Sequence, residues 1–422
     1  MAATARSIGR EGGLTMRKGL CFALGALLAA SALFAAASGG TAGSMMVGVK
    51  IYEYKGEFPP LFAEWRRLGI NTAFVSAELA GTPAFMEMAR KQGVPVYIIT
   101  PVFYNPEALA ADPGLFAVTG YGKPAKLDWV EFACPRRPEY RRQRLEYVRR
   151  LVRNCNPDGL SIDFIRYFAF WEMVYPGAKL DPLQNTCFCP YCLQAFQKEC
   201  QRIFPPALGD TRAKAEWILK NHLPAWAKWK RAAITAMARD IAAAARQEKP
   251  GIKLNLHLVP WRKDDFEGAM GTVVSQDIAE LGRLVDFLSP MCYAHMVRQT
   301  PGWIRSVVQD VRSLSANPAP QGDGGTLARP APQGDGGTSA RPAPRGDGGT
   351  EYPLVIPSIQ VKEDYIPETL TPAQFSAYLD AALEPPSAGV VFWEWETLKA
   401  DSVKKEIVRA RIAALARPKI SR

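Results

Sequence analysis

The chain predicts an α/β fold, and within that class a closed (β/α)8 barrel, on three observations. After residue 44, short apolar runs alternate with amphipathic stretches, as parallel strands alternate with helices. The strand-like runs number eight, which is what a closed barrel needs. Nearly every run ends in polar and aromatic side chains together, as expected where strand C-termini share one functional face. A doubly wound open sheet is the alternative, but no glycine-rich phosphate loop follows the first run. The 422 residues accommodate one barrel of roughly 250 residues plus insertions.

Residues 1–43 read as a signal peptide or an N-terminal anchor, because Arg17 and Lys18 precede the apolar run 20–37 and small residues follow it. Export to the periplasm or the extracellular space is the expectation, with membrane contact only through an uncleaved anchor. Strands are expected at 46–52, 72–76, 94–101, 159–164, 253–259, 285–291, 354–359 and 389–393. Helices are expected between them at 59–68, 83–92, 139–154, 223–249, 303–313, 372–383 and 403–415. The barrel then occupies 44–314 and 351–422. A first insertion, about 169–221, follows strand four and carries a cysteine cluster. A second, 315–350, contains three near-copies of Pro-Ala-Pro-(Gln/Arg)-Gly-Asp-Gly-Gly-Thr beginning at Pro318, Pro330 and Pro342. It is too polar and too rich in Pro and Gly to bury a core, so it reads as disordered, and its place before strand seven puts it on the face away from the chemistry. A calcium-binding repeat is the alternative, and the prolines and spacing argue against it.

The formal net charge of +11 comes from basic residues scattered over amphipathic helices such as 136–153, with no basic block or RNA-type aromatic motif. Solvated helix faces account for that, and no nucleic-acid partner is expected.

The stretch 157–168 ends an apolar run in Asp163, Arg166 and Tyr167. A carboxylate placed against strand core costs several kcal/mol unless paired or used, and Arg166 is the nearest partner in sequence. The other strand ends supply Tyr52, Glu78, Tyr104, His257 and Trp261, Tyr293 and His295, and finally Trp393, Glu394, Trp395 and Glu396. Polar groups interleaved with rings suit sugars, whose hydroxyls need hydrogen bonds and whose C–H faces stack on aromatics. Cleaving a glycosidic bond needs two carboxyl groups flanking it. Asp163 is the first candidate, as nucleophile or electrostatic stabiliser, with Arg166 holding it ionised and Tyr167 orienting it. Glu394 is the second, with Glu396 and Glu78 in reserve; period-two alternation would point Glu394 and Glu396 the same way. For each acid the alternative is an ordinary ion pair, and for His257 and His295 a hydrogen-bonded place in the wall.

Cys187, Cys189 and Cys192 crowd one turn, where mutual disulfides would be strained but convergence on one soft cation is natural. Cys134, on the neighbouring loop, is the preferred fourth ligand; Cys200, Cys155 and His222 are rivals. A four-thiolate zinc site would be structural, whereas disulfides or free thiols are the alternatives in an exported chain. No organic cofactor is expected.

The segment Gly159 to Tyr167 resembles the fourth-strand signature of the glycoside-hydrolase-like TIM barrels of bacterial exported proteins. Ala133-Cys134-Pro135 followed by the Cys-x-Cys-x-x-Cys run is similar to the cysteine pattern of family 42 β-galactosidases, where such thiols hold a structural zinc. The segments 289–293 and 389–394 resemble the sixth and eighth strand ends of the same group. The Asn-Glu pair that family 42 enzymes carry after strand four is absent, so the pattern is nearer to barrels with a strand-four aspartate nucleophile and an acid from a later strand. The resemblance implies a TIM barrel glycoside hydrolase acting on a carbohydrate substrate; the strand-end rings Tyr52, Tyr104, Trp261, Tyr293, Trp393 and Trp395 are its expected sugar-binding surfaces. A catalytically inactive carbohydrate-binding barrel is the alternative.

Overall fold

The computed structural model describes residues 45–316 and 352–415; the expected export segment, nearly all of the repeat insertion and the last seven residues lie outside the described residues. Nine parallel strand segments form one sheet. In chain order they are β1 (Met46–Ile51), β2 (Thr72–Val75), β3 (Val96–Pro101), β4 (Gly159–Asp163), β5 (Lys253–Leu258), β6 (Phe287–Pro290), β7 (Leu354–Val355), β8 (Ser358–Gln360) and β9 (Gly389–Trp393).

The order across the sheet is β8-β9-β1-β2-β3-β4-β5-β6-β7. Its two ends are consecutive pieces of one chain segment, parted only by Ile356 and Pro357. Ile356 N donates to Leu288 O at 2.9 Å, Val391 N donates to Pro357 O at 3.0 Å, and Met291 bridges Ser358. The ring therefore closes, and β7 with β8 is the seventh of eight barrel strands. The break falls at Pro357, which has no N–H to give the ladder.

Period two sorts each strand. In β4, Leu160 and Ile162 face the helices while Ser161 and Asp163 face the axis, and all are buried. The base of the barrel is filled by Phe74, Tyr97, Ile99, Ile356 and Val391, with Phe74 and Tyr97 stacked at 5.2 Å. Gly159 enters this layer because a Cβ there would stand 2.3 Å from Tyr97 and 2.7 Å from Lys253 O. Above it the filling turns polar. Ser289 Oγ donates to Asn255 Oδ1 at 2.7 Å, Asn255 Nδ2 donates to Ser161 Oγ at 2.9 Å, and Ser161 Oγ meets His257 Nε2 at 2.8 Å.

The outer ring contains the helices Phe58–Leu68, Pro83–Gln92, Pro138–Cys155, Leu223–Glu248, Pro301–Ala316, Pro372–Leu383 and Ser402–Leu415. Pro138–Cys155 shows why such segments stop where they do: Pro138 suits its first turn, Asn156 ends it at φ 45°, and the Asp158 carboxylate then accepts from Val96 N at 2.8 Å. Loops at the C-terminal ends of the strands carry the additions, a short hairpin at Lys126–Leu127 and Val130–Glu131 and helices Pro190–Cys200 and Thr211–Asn221. Among the described residues no helix is long and apolar enough to cross a membrane.

Candidate active site and cysteine cage

Asp163 is the last residue of β4 and is 6% exposed. Its Oδ1 accepts from Phe164 N at 2.7 Å, where the chain turns sharply with Phe164 at φ 49°. Burial favours the neutral acid, but His257, Lys50, the Phe164 amide and Arg166 together outweigh it and hold this carboxyl below the ordinary range. His257 is itself pushed down to about 3 by burial and by Lys50. Lys50 is itself pushed below its ordinary value by burial, with Asp163 opposing the shift. Lys50, buried on β1, donates to Tyr293 Oη at 3.4 Å.

Arg166 does something other than the sequence suggested. Its Nη1 donates to Tyr167 O at 3.3 Å and Ala169 O at 2.9 Å, bracing the loop that leaves β4, and its guanidinium lies 4.8 Å from the Phe132 ring. Its field acts on Asp163 less than that of Lys50 and is shared with Glu172.

Glu172 was not foreseen. It sits in a single 3-10 turn, Trp171–Met173, nine residues beyond Asp163, and is buried with its Oε2 enclosed and unpartnered. Burial pushes its carboxyl up to about 7; Arg166 opposes this and Asp163 adds to it. Two carboxyls leaving the same strand end are thus shifted in opposite directions, Asp163 down and Glu172 up. The signal in the sequence was weak, an acid after a run of rings in Phe170-Trp171-Glu172.

Glu394 follows directly on β9. It lies 3.6 Å from Lys362 Nζ, which also stands 3.9 Å from Asp364, and Asp364 is pushed up to about 6 by burial with Glu394 and Glu363 adding to it. Tyr52, 39% exposed at the end of β1, lies within the field of both Asp163 and Glu394. The peptide between Trp393 and Glu394 is cis.

The rings form two walls. Trp171, Tyr293 and Trp393 make one, with Tyr293 stacked on Trp393 at 4.5 Å and 5.8 Å from Trp171. Tyr104 stacks on Phe164 at 4.9 Å in the other, against Trp129 at 5.6 Å. Trp129 and Tyr365, both missed from the sequence, are 43% and 37% exposed, and Trp129 Nε1 donates to Tyr365 Oη. Since β3 and β8 lie on opposite sides of the ring, this contact spans the mouth.

Six expected site residues lie elsewhere. Trp395 is buried against Trp65 at 5.8 Å, and Glu396 is exposed beside Lys399, because the strand stops at Trp393 and a helix, Trp395–Ala400, begins. Period two does not extend past that point. Glu78 is exposed in the first turn of Ala77–Ala80, with its field on Tyr147 of the outer ring. His295 is buried among Glu363, Thr369 and Lys404 behind the loop after β8. Tyr167 is wholly buried and faces the cysteines. Trp261 is 3% exposed and lines two cavities, of about 410 and 840 Å³, among the loops after β4 and β5.

Cys134, Cys187, Cys189 and Cys192 are all buried, with their sulfurs within 4.8 Å of one another, close enough to hold a metal ion. Cys134 and Cys192 Sγ are 3.4 Å apart, and Cys189 and Cys134 Sγ 3.8 Å. Sulfurs at ~2.3 Å from a tetrahedral ion would be about 3.8 Å apart, so the donor set fits. Cys189 is also the N-cap of Pro190–Cys200, its sulfur accepting from Cys192 N at 3.5 Å, while Val118 N donates to Cys187 Sγ at 3.3 Å. The rivals Cys155, Cys200 and His222 do not belong to this group.

A closed ring of eight parallel strands, with paired carboxyls and aromatic walls at the C-terminal rim, defines a (β/α)8 barrel of the kind glycoside hydrolases use. Solved structures agree on the fold. The glycoside hydrolase domain of PgaB (BpsB) from Bordetella bronchiseptica superposes with a TM-score of 0.59 at 13% identity, covering 87% of this chain and 98% of that one. The β-galactosidase of Marinomonas ef1 gives 0.59 at 12%, covering 88% and 59%. A catalytic mutant of the GH42 β-galactosidase Gan42B from G. stearothermophilus gives 0.55 at 14%, covering 89% and 57%, so this chain spans less than two thirds of either β-galactosidase. No protein-family model matches the chain, and no curated protein matches it in sequence.

Proposed function

We propose that the protein is an exported glycoside hydrolase of the periplasm or extracellular space, cleaving an oligo- or polysaccharide with Asp163 and Glu172 as its carboxyl pair. The observation that carries this reading is the opposed shift of the two acids, Asp163 lowered below the ordinary carboxyl range and Glu172 raised to about 7. Glu172 would protonate the departing glycosidic oxygen. Asp163 would stabilise the cationic transition state or attack the sugar carbon. Trp393, Tyr293, Trp129 and Tyr365 would flank the sugar rings, and Tyr52 and Lys362 would bind hydroxyls. In the cysteine cage a zinc ion would supply a structural cross-link between the loops after β3 and β4.

A second reading keeps Glu394 as the partner of Asp163, favoured by the field both exert on Tyr52. Assay of the purified protein on an oligosaccharide panel, beside Asp163→Asn, Glu172→Gln and Glu394→Gln, separates them. The expected result is a loss of about 10²–10⁴-fold for Asp163→Asn and Glu172→Gln, with a smaller loss for Glu394→Gln. Undiminished turnover in Asp163→Asn would sink both readings. Tight sugar binding by the wild type without turnover identifies a carbohydrate-binding barrel instead.

A further inference from the structure

Lys230, on the helix Leu223–Glu248, is wholly buried. Its ammonium donates to Asn185 Oδ1 at 2.5 Å and Val273 O at 3.0 Å and stands 4.7 Å from the centre of the Tyr167 ring. All three partners are neutral. Among the described residues no carboxylate forms an ion pair with it. The charged or chargeable groups that act on it are the Cys187 and Cys192 sulfurs and the Arg231 guanidinium, which is of the wrong sign.

A buried ammonium without a counter-charge is costly enough that it is paired or discharged. The state of the cage decides which. Four thiols are neutral, and so are two disulfides; either leaves Lys230 stranded. Four thiolates around a divalent cation carry two net negative charges. Arg136 also faces Cys192, but it is held bidentate by Glu199 at 2.5 and 2.6 Å, so its charge is largely spent there.

We infer that Lys230 is the buried counter-ion of a metal–tetrathiolate group formed by Cys134, Cys187, Cys189 and Cys192, with Tyr167 packed between them. Tyr167 gives this a structural reach. Its hydroxyl is buried without a partner, with Cys192, Cys134 and Cys187 around it, and its ring follows Asp163 by four residues. The loaded cage and Lys230 thus grip the exit of β4 from behind. The inference rests on the metal reading of the cage and is independent of the hydrolase reading.

Metal binding tests it without reference to turnover. The purified full chain should hold one divalent ion, and chelator competition with Zn²⁺ should show roughly 10–100-fold weaker binding in Lys230→Met. Unchanged affinity in that variant overturns the inference, as does recovery of the four cysteines as two disulfides in the folded protein. Should Lys230→Met not fold, the wild type still decides. Acetic anhydride labelling under native conditions, mapped by mass spectrometry, should leave Lys230 unmodified in the loaded protein and modify it after the metal is stripped. Equal protection in both forms overturns the inference.

Discussion

Glu172 makes the sharpest claim about single residues. Its carboxyl is raised from 4.5 to about 7, so the folded protein binds its proton more tightly than the unfolded chain does. That contribution is fully present below about pH 4.5 and is lost as pH rises through about 7, an effect of about 3 kcal/mol. Urea unfolding should therefore show wild type losing stability relative to Glu172→Gln between pH 5 and 8; parallel curves would contradict the buried, protonated assignment. His257, lowered to about 3, acts oppositely, stabilising as pH rises through the window between 3 and 6.5. The raised Glu172 carboxyl predicts that kcat/KM, plotted against pH, falls through about 7 as Glu172 loses its proton. Asp163 was legible because an acid closing an apolar run is expensive unless used. Glu172 was not, since no strand or helix period marks a residue in a single 3-10 turn; Lys50 was readable as a polar group closing the first strand, but not as a charge acting on Asp163.

At the scale of elements, strand pairing leaves room for few alternatives. Gly159→Ala would place a methyl 2.7 Å from Lys253 O on the neighbouring strand and against the Tyr97 ring, so β4 and β5 must part or the ring must move. A loss of about 1–3 kcal/mol in urea unfolding is expected, and an unperturbed midpoint would show that the barrel base yields freely. The loops behave differently. Trp129 on the hairpin and Tyr365 after β8 meet across the mouth with their rings exposed, so Trp129→Ala should raise KM for long substrates while sparing kcat on short ones. The element boundaries themselves were mostly readable from periodicity, and the Cys-x-Cys-x-x-Cys spacing announced its cage. What misled was extending a strand's alternation beyond its end: Trp395 and Glu396 belong to a helix, and Tyr167 to a loop that turns behind the sheet.

For the whole molecule, the closed ring explains why two insertions can coexist with one site. The cysteine-bearing segment enters after β4, on the face of Asp163. Residues 317–351 connect the end of the helix Pro301–Ala316 to the approach to β7, and β7 begins at the opposite face. Replacing 318–350 by a short linker should leave turnover and thermal unfolding unchanged, and a lost activity would place that segment nearer the chemistry than the topology does. The closure also sets a temporal condition on the chain. β1 has β9 as one neighbour, Met46 lying opposite Gly389, and β6 has the seventh strand, so both edges stay unpaired until nearly the whole polypeptide is available. Early emergence of six strands cannot complete a core that waits for the seventh and eighth. A half-made sheet with two open edges is sticky. The late arrival of its closing strands therefore makes refolding yield depend on protein concentration, a cost written into the barrel by the order in which its staves are delivered.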